Sequence, residues 1–167
     1  MIKVGVLTAS DKGSIGERVD ESGQVIKDMI EQIDGEVVVY RMVADERGLI
    51  SAALIEMADV FAADLILTTG GTGFSPRDIT PEATLDVIDR LVPGIPEAIR
   101  QQSLLITSRA MLSRATAGIR NKTLIINLPG SPKAVRESME IILPVLPHAI
   151  GILKGEAGEC AIILHGE

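Results

Sequence analysis

A glycine-rich segment carries the strongest chemical signal in the sequence. It comprises Thr69, Gly70, Gly71, Thr72 and Gly73, and it directly follows an apolar, β-rich run. Because glycine has no Cβ, the backbone there can approach a ligand closely and point its amides at an anion. The two threonine hydroxyls add further donors. The glycines alone are equally consistent with a tight strand-to-helix turn that binds nothing, so both interpretations stay open.

Two carboxylates are candidate metal ligands. Asp78 follows the glycines, directly after Arg77, and Asp45 follows the second predicted strand. Sites that bind nucleotides hold Mg²⁺ with one or two carboxylates, together with phosphate oxygens and water. Because the carboxyl ends of parallel strands meet at one edge of a sheet, Asp45 and Asp78 could face one crevice. Taken alone, each is more simply explained as a solvated loop acid.

Two helix starts are predicted close to these residues. Thr80 can cap a helix, Pro81 suits its first position, and Glu82 complements the helix dipole. Ser131 and Pro132 predict a second helix start of the same kind. The amino end of a helix favours phosphate, so both starts fit an anion-binding edge.

Two further loops are expected at the same edge. The first spans residues 10–16 and includes Ser10 and Asp11, with Asp20 and Gly23 beyond it. The second spans residues 128–133 and adds another helix start and a cation. Its candidate ligand-binding residues are Pro129, Gly130, Ser131 and Lys133. Each loop taken alone is adequately explained as a capped turn.

Strand and helix patterns alternate along the chain. Strands are predicted over residues 2–9, 36–43, 64–69, 116–120 and 122–127, with 116–120 as a short edge strand. Helices are predicted over residues 22–33, 49–61 and 96–106, and from residue 80 to about 93. Further helices are expected from residue 132 and from Pro147, separated by a break at Pro144.

This alternation predicts one α/β domain spanning residues 1–167, with a mostly parallel open sheet covered on both faces by helices. Ligands of such three-layer α/β/α folds bind beyond the carboxyl ends of the strands. That rule points to the loops at residues 10–16, 70–80 and 128–133, which carry the motifs described above.

Composition excludes several classes of protein. The net charge is −7 and no basic cluster occurs, so no nucleic-acid partner is expected. No apolar run reaches the length of a membrane span, so no membrane association is expected. The single Cys160 excludes an intrachain disulfide and indicates a reducing, cytoplasmic location.

His148 and His165 lie far from the three loops in sequence and are expected to be surface or packing residues. No dinucleotide fingerprint is present, which argues against a nucleotide-dependent redox protein, and no zinc-ligand spacing occurs.

Together these residues closely resemble the signature of the MogA/MoaB family. The resemblance extends from the first strand to about Leu153 and is most specific at Thr69–Gly73, Arg77-Asp78 and Thr80–Thr84. Further matching segments are Ser10-Asp11, Asp45, Ser113-Arg114, Asn127–Gly130 and Pro132-Lys133.

The resemblance implies a molybdopterin-binding fold, a homotrimer, and transfer of AMP from MgATP to the terminal phosphate of molybdopterin. Asp45 and Asp78 would then be the catalytic acids that also handle Mg²⁺. Residues implied to bind substrate or phosphate are Ser10, Asp11, Thr69, Gly70, Gly71, Thr72, Gly73, Arg77, Pro129, Gly130, Ser131 and Lys133. The product would pass to a molybdenum-inserting, MoeA-like protein. The alternative is a protein that binds or delivers molybdopterin without catalysis, although the presence of both acids favours the enzyme.

Overall fold

The computed structural model describes residues 1–156, which form a six-stranded sheet flanked by helices. The strands are β1 (Ile2–Ala9), β2 (Gly35–Val43), β3 (Leu65–Thr69), β4 (Arg90–Leu91), β5 (Ala117–Arg120) and β6 (Thr123–Leu128). The helices are α1 (Asp11–Ser14), α2 (Glu21–Ile30), α3 (Arg47–Ile55), α4 (Thr80–Leu85), α5 (Gly94–Leu104), α6 (Pro132–Ile142) and α7 (Leu146–Lys154).

The sheet has the strand order β2-β1-β3-β6-β5-β4. Strands β2, β1, β3 and β6 are parallel, whereas β5 runs antiparallel to both β6 and β4. The expected mostly parallel open sheet is therefore confirmed. Four neighbouring strands end at the same edge, and the loops that follow them lie side by side there.

Helices cover both faces of the sheet because buried side chains alternate along the central strands. Leu65 and Leu67 pack into one core with α2, α5, α6 and α7. Between them, Ile66 points to the opposite face and packs with α3 and α4. The predicted three-layer α/β/α architecture is thus confirmed.

One predicted helix is wrong in extent. The helix that begins at Thr80 ends at Leu85, far before residue 93, and the chain then forms β4. The backbone after α4 pairs with β5 instead of continuing the helix. The Asp89 amide donates to the Ile119 carbonyl, and the Val92 amide donates to the Ala117 carbonyl. Consequently β5 is not the edge strand that was expected, since β4 lies outside it.

Other differences concern the ends of elements. A π-helical turn, Glu56–Val60, continues α3, and a 3₁₀ turn, Glu31–Ile33, continues α2. The loop expected at residues 10–16 contains the short helix α1. Further 3₁₀ turns are Ser108–Leu112 and Leu143–Val145, and the second contains Pro144, so the predicted break between α6 and α7 is confirmed.

Two sequence expectations concern the C-terminal region. His148 lies exposed on α7, away from the loops at the carboxyl edge of the sheet. Cys160 and His165 fall outside the described residues. Within residues 1–156, no helix is long and apolar enough to cross a membrane.

Candidate functional site

A cleft of about 700 Å³ lies across the carboxyl ends of the parallel strands. It is bordered by residues from the ends of β1, β2 and β3, from the start of α2, and from the loop after β6. The lining residues are Thr8, Ala9, Ser10, Gly13, Arg18, Val19, Asp20, Glu21, Ser22, Met42, Asp45, Thr69, Gly70, Gly71, Asp78, Gly130, Ser131 and Pro132. The structure thus brings the three predicted loops together at one site.

The turn after β3 requires glycine at two positions. Gly70 and Gly71 have φ angles of +91° and +69°, which disfavour residues with a Cβ. A Cβ on Gly70 would lie 2.3 Å from the carbonyl oxygen of Ala9, and one on Gly71 would lie 2.3 Å from Thr80 Oγ1. The glycines therefore allow the turn to pass against β1 and α4 at the floor of the cleft.

A chain of hydrogen bonds ties this turn to the core of the domain. Asn127 is buried in β6, and its Nδ2 donates to Thr68 Oγ1 at 3.0 Å and to Thr84 Oγ1 at 2.9 Å. The Thr84 hydroxyl donates to the Thr80 carbonyl, and the Thr80 hydroxyl donates to the Gly70 carbonyl, both at 2.9 Å. Thr80 therefore does not cap α4 as predicted; it holds the glycine turn instead.

The guanidinium of Arg114 holds the other end of the glycine segment. Its Nε donates to the Gly73 carbonyl at 2.7 Å, Nη2 donates to the Asp78 carbonyl at 2.8 Å, and Nη1 pairs with Glu82. Arg114 belongs to one of the segments that resemble the family signature. In the structure its donors are used to fix the backbone around Asp78.

Asp11 and Asp45 cap each other's backbone. The Asp11 amide donates to Asp45 Oδ2 and the Asp45 amide donates to Asp11 Oδ1, both at 3.0 Å. Arg77 reaches over from the glycine loop and donates to both oxygens of Asp11, at 3.0 and 2.8 Å. The hydrogen bond from Arg77 holds the pKa of the Asp11 carboxyl below its ordinary value. This arrangement ties the loops after β1, β2 and β3 to one another.

Asp45 has the features of a cation ligand. Burial raises the pKa of its carboxyl, the hydrogen bond from the Asp11 amide lowers it, and the charges of Asp11 and Asp78 raise it further. Its Oδ1 is buried and has no hydrogen-bond partner in the described chain. A buried carboxylate oxygen without a partner is costly unless a cation or donor approaches it.

Asp78 lies in the same cleft, with Oδ2 accepting a hydrogen bond from the Ser75 amide at 2.9 Å. Among residues 1–156, no group of three or more His, Cys, Asp or Glu side chains could hold a metal ion. The carboxylates of Asp45 and Asp78 are of the kind that can hold Mg²⁺ together with phosphate oxygens and water. These two residues would hold the ion where it could neutralise phosphate charge.

Asp20 organises a further part of the cleft lining, a role that the sequence did not predict. Its Oδ2 accepts hydrogen bonds from Thr8 Oγ1 at 2.6 Å and from the Tyr40 hydroxyl at 2.7 Å, and its Oδ1 accepts from the Gly23 amide at 2.8 Å. Burial, assisted by Asp20, raises the pKa of Tyr40. The available signal was an aspartate before a helical pattern, since Asp20 caps α2.

Several predicted ligand-binding residues use their polar groups within the protein. The Thr69 hydroxyl donates to the Pro129 carbonyl at 2.6 Å, so its proton does not face the cleft. Ser10 Oγ accepts from the Gly13 amide as the cap of α1. Ser131 Oγ accepts from the Ala134 amide as the cap of α6, as expected.

Other predicted residues lie outside the cleft lining: Asp11, Thr72, Gly73, Arg77, Pro129 and Lys133. Thr72 is buried, and its carbonyl accepts from the Arg114 amide. Lys133 lies 3.8 Å from Glu137 on α6. Lining residues that the sequence did not single out are Thr8, Ala9, Arg18, Val19, Glu21, Ser22 and Met42. They lie near the ends of β1 and β2 or around the start of α2, and only these chain positions could have indicated them.

These features define an α/β protein whose ligand cleft combines glycine backbone, hydroxyls and a pair of carboxylates, a site suited to phosphate groups with a divalent cation. Residues 5–148 match the family described as "Probable molybdopterin binding domain". The chain belongs to this family, which confirms the resemblance seen in the sequence.

Similar proteins and crystal structures support this family assignment. The molybdopterin adenylyltransferase of Helicobacter pylori is 47% identical over 156 residues, covering 92% of this chain and 89% of that protein. The crystal structure of the molybdopterin biosynthesis enzyme MoaB from Thermus thermophilus is 50% identical, covers 95% of this chain and 100% of its own, and superposes with a TM-score of 0.89.

A second similar structure is that of the tungsten cofactor synthesizing protein MoaB from Pyrococcus furiosus. It is 39% identical, covers 93% of this chain and 96% of its own, and superposes with a TM-score of 0.82. The chain is therefore a member of a family that acts in molybdenum cofactor biosynthesis. The curated relatives are named molybdopterin adenylyltransferases, which is the enzyme class that the sequence resemblance implied.

Proposed function

We propose that the protein transfers AMP from MgATP to the terminal phosphate of molybdopterin. In this reaction a phosphate oxygen of molybdopterin forms a bond to the α-phosphorus of ATP, and the anhydride bond between the α- and β-phosphates breaks. Pyrophosphate leaves, and adenylyl-molybdopterin is the product. The observation that carries the proposal is that partly buried Asp45 and Asp78 line one cleft together with a glycine turn.

The protein's contribution to this chemistry is positioning and charge. The substrate supplies its own nucleophile, so no covalent intermediate on a side chain is required. Mg²⁺, when bound, would neutralise charge on the phosphates of ATP. Asp45 and Asp78 would hold it, while Gly70 and Gly71 bring backbone close to the phosphates. Arg114, Thr80 and Arg77 would keep those groups in place through the contacts described above.

Further parts of the proposal concern assembly and pathway. We place the protein in a cytoplasmic homotrimer that passes its product to a molybdenum-inserting, MoeA-like protein. Support for self-association comes from exposed apolar side chains around the end of α5 and the following 3₁₀ turn. They are Leu104, Leu105, Ile106, Met111 and Leu112. Exposed apolar clusters of this kind mark interaction surfaces.

Adenylylation can be tested by incubating the protein with molybdopterin and MgATP and detecting adenylyl-molybdopterin and pyrophosphate by chromatography. Asp78→Asn should lower turnover by roughly two or more orders of magnitude, because it removes a charge at the reacting phosphates. Molybdopterin binding should weaken far less, because the glycine backbone and the rest of the cleft lining are unchanged. Asp45→Asn should behave similarly, and the double variant should lose less than the product of the two single losses.

Asp28→Asn serves as a matched control, because Asp28 is exposed on α2 and lies outside the cleft lining. Its turnover should equal that of the wild type. If the wild type binds molybdopterin but forms no product with MgATP, the alternative of a binding or delivery protein replaces the enzyme. If both single variants keep full turnover, the assignment of the two acids is wrong.

A further inference from the structure

The charged side chains that line the cleft are strongly unbalanced towards acid. Four are carboxylates, namely Asp20, Glu21, Asp45 and Asp78, and among the lining residues only Arg18 is a cation. A substrate with several phosphate groups would meet net negative charge here. A divalent ion at Asp45 and Asp78 would offset two of these charges, which leaves Arg18 as the side chain able to attract phosphate elsewhere in the cleft.

Three other cations near the site are occupied by carboxylates, and a fourth, Lys12, is exposed but lies outside the cleft lining. Arg77 lies 2.8 Å from Asp11, Lys133 lies 3.8 Å from Glu137, and Arg114 pairs with Glu82. None of these three lines the cleft. Arg18, in contrast, is exposed and forms neither an ion pair nor a hydrogen bond with residues 1–156.

The backbone that carries Arg18 is anchored on both sides. On the amino side, the Glu17 amide donates to the Lys12 carbonyl at 2.9 Å, and the Gly16 amide donates to the Gly13 carbonyl at 3.0 Å. On the carboxyl side, Asp20 is held by the Thr8 and Tyr40 hydroxyls. Arg18 therefore extends from a fixed segment at the cleft, and its guanidinium is available to a ligand.

We propose that Arg18 binds a phosphate group of the substrate and determines part of the specificity for a multiply charged anion. This inference rests on the proposed function. A guanidinium suits the role because it can donate two parallel hydrogen bonds to phosphate oxygens. The phosphate can belong to the nucleotide or to the pterin substrate, and the two sources are separable by experiment.

Steady-state kinetics on Arg18→Ala, with ATP and molybdopterin varied in turn, test the proposal. The KM for the substrate whose phosphate Arg18 binds should rise about tenfold, while kcat stays within about twofold. A rise for ATP identifies a nucleotide phosphate, and a rise for molybdopterin identifies the pterin phosphate. Arg18→Lys should recover part of the loss, because it keeps the charge but not the paired donors.

The matched control is Arg136→Ala. Arg136 is exposed on α6 and lies outside the cleft lining, so its loss changes net charge by the same amount without touching the site. Both KM values should be unchanged in this variant. Equal effects of the two substitutions would overturn the proposal, because they would reflect only the overall field of the protein. Unchanged KM values in Arg18→Ala, or a fall in kcat alone, would also overturn it.

Calorimetric titration separates this inference from the proposed reaction. MgATP and molybdopterin are titrated into the wild type and into Arg18→Ala, without any turnover being required. Wild-type binding that weakens about tenfold in the variant supports a phosphate contact even if no adenylylated product forms. Equal binding by both proteins overturns the role of Arg18 and leaves the proposed reaction standing. If the wild type binds neither probe and forms no product, both proposals fail.

Discussion

At the scale of single residues, the Asp45 carboxylate is placed where it suits a cation but lowers the stability of the folded chain. Its carboxyl is partly buried, its Oδ1 has no partner in the described chain, and two further acids lie near it. Its pKa is therefore higher in the folded chain than the ordinary value of 3.8. Its favourable contribution to folding is fully present below 3.8 and is lost as the pH rises through the raised value.

We therefore expect Asp45→Asn to unfold at a higher temperature than the wild type at pH 7 in the absence of metal. A rise in Tm of roughly 2 °C is the expected scale for a domain of this size. The asparagine oxygen can still accept from the Asp11 amide, so the loop connection is kept. Calorimetric melting from pH 7 down to pH 4 should show the difference shrinking as the wild-type carboxyl takes up its proton.

The matched comparison is Asp28→Asn, which should leave Tm unchanged across the same pH range because Asp28 is exposed. A lower Tm for Asp45→Asn at pH 7 would contradict the destabilising role assigned to this carboxylate. Saturating Mg²⁺ should reverse the order of stability, because only the wild type offers the ion both charges.

At the scale of elements, the glycine turn depends on particular backbone angles rather than on small size alone. Gly70→Ala places a Cβ at a φ of +91° and 2.3 Å from the Ala9 carbonyl. Gly130→Ala, at the neighbouring loop, meets nothing closer than 3.5 Å and has no left-handed φ. The first variant should lose at least about 2 kcal/mol of unfolding free energy, and the second should lose well under 1 kcal/mol.

Urea denaturation followed by circular dichroism measures both variants under the same conditions. Equal losses would show that the tight approach of β1 to the turn is relieved by backbone movement. Because Gly130 lines the cleft, this comparison uses stability alone.

The sequence predicted most elements, because helical and strand periodicity reflects burial on one or both faces. It failed at β4, since both Arg90 and Leu91 are exposed and only backbone pairing defines the strand. Within the site, the glycine turn and the two acids could be identified from residue types and neighbouring strands. The roles of Thr80 and Arg114 could not, because each depends on a partner that only the tertiary fold brings close.

At the scale of the whole molecule, the exposed apolar cluster near the end of α5 is the basis for a prediction about assembly. We expect the wild type to sediment as three copies of the 17.7 kDa chain. Leu105, at 80%, is the most exposed of these five side chains, so Leu105→Glu should dissociate the trimer by placing a charge in a buried interface. Sedimentation velocity at micromolar concentration measures the change.

Val60→Glu is the matched control, because Val60 is 75% exposed but lies in the π-helical turn after α3, away from the cluster. It should sediment like the wild type. A wild type that is monomeric at micromolar concentration would rule out the proposed trimer. A trimer that survives Leu105→Glu would show that the contact uses another surface.

The mutual capping of Asp11 and Asp45 also has a consequence for how this protein can evolve. Each carboxylate accepts a hydrogen bond from the other residue's backbone amide. A single replacement that removes one acceptor therefore leaves the amide at the end of the neighbouring strand without its hydrogen bond. Replacements at either position that remove the acceptor are therefore disfavoured, even where catalysis is not under selection. Descendants that abandon the chemistry should therefore keep an acceptor at both positions, so the joint presence of Asp11 and Asp45 is by itself a weak sign of activity.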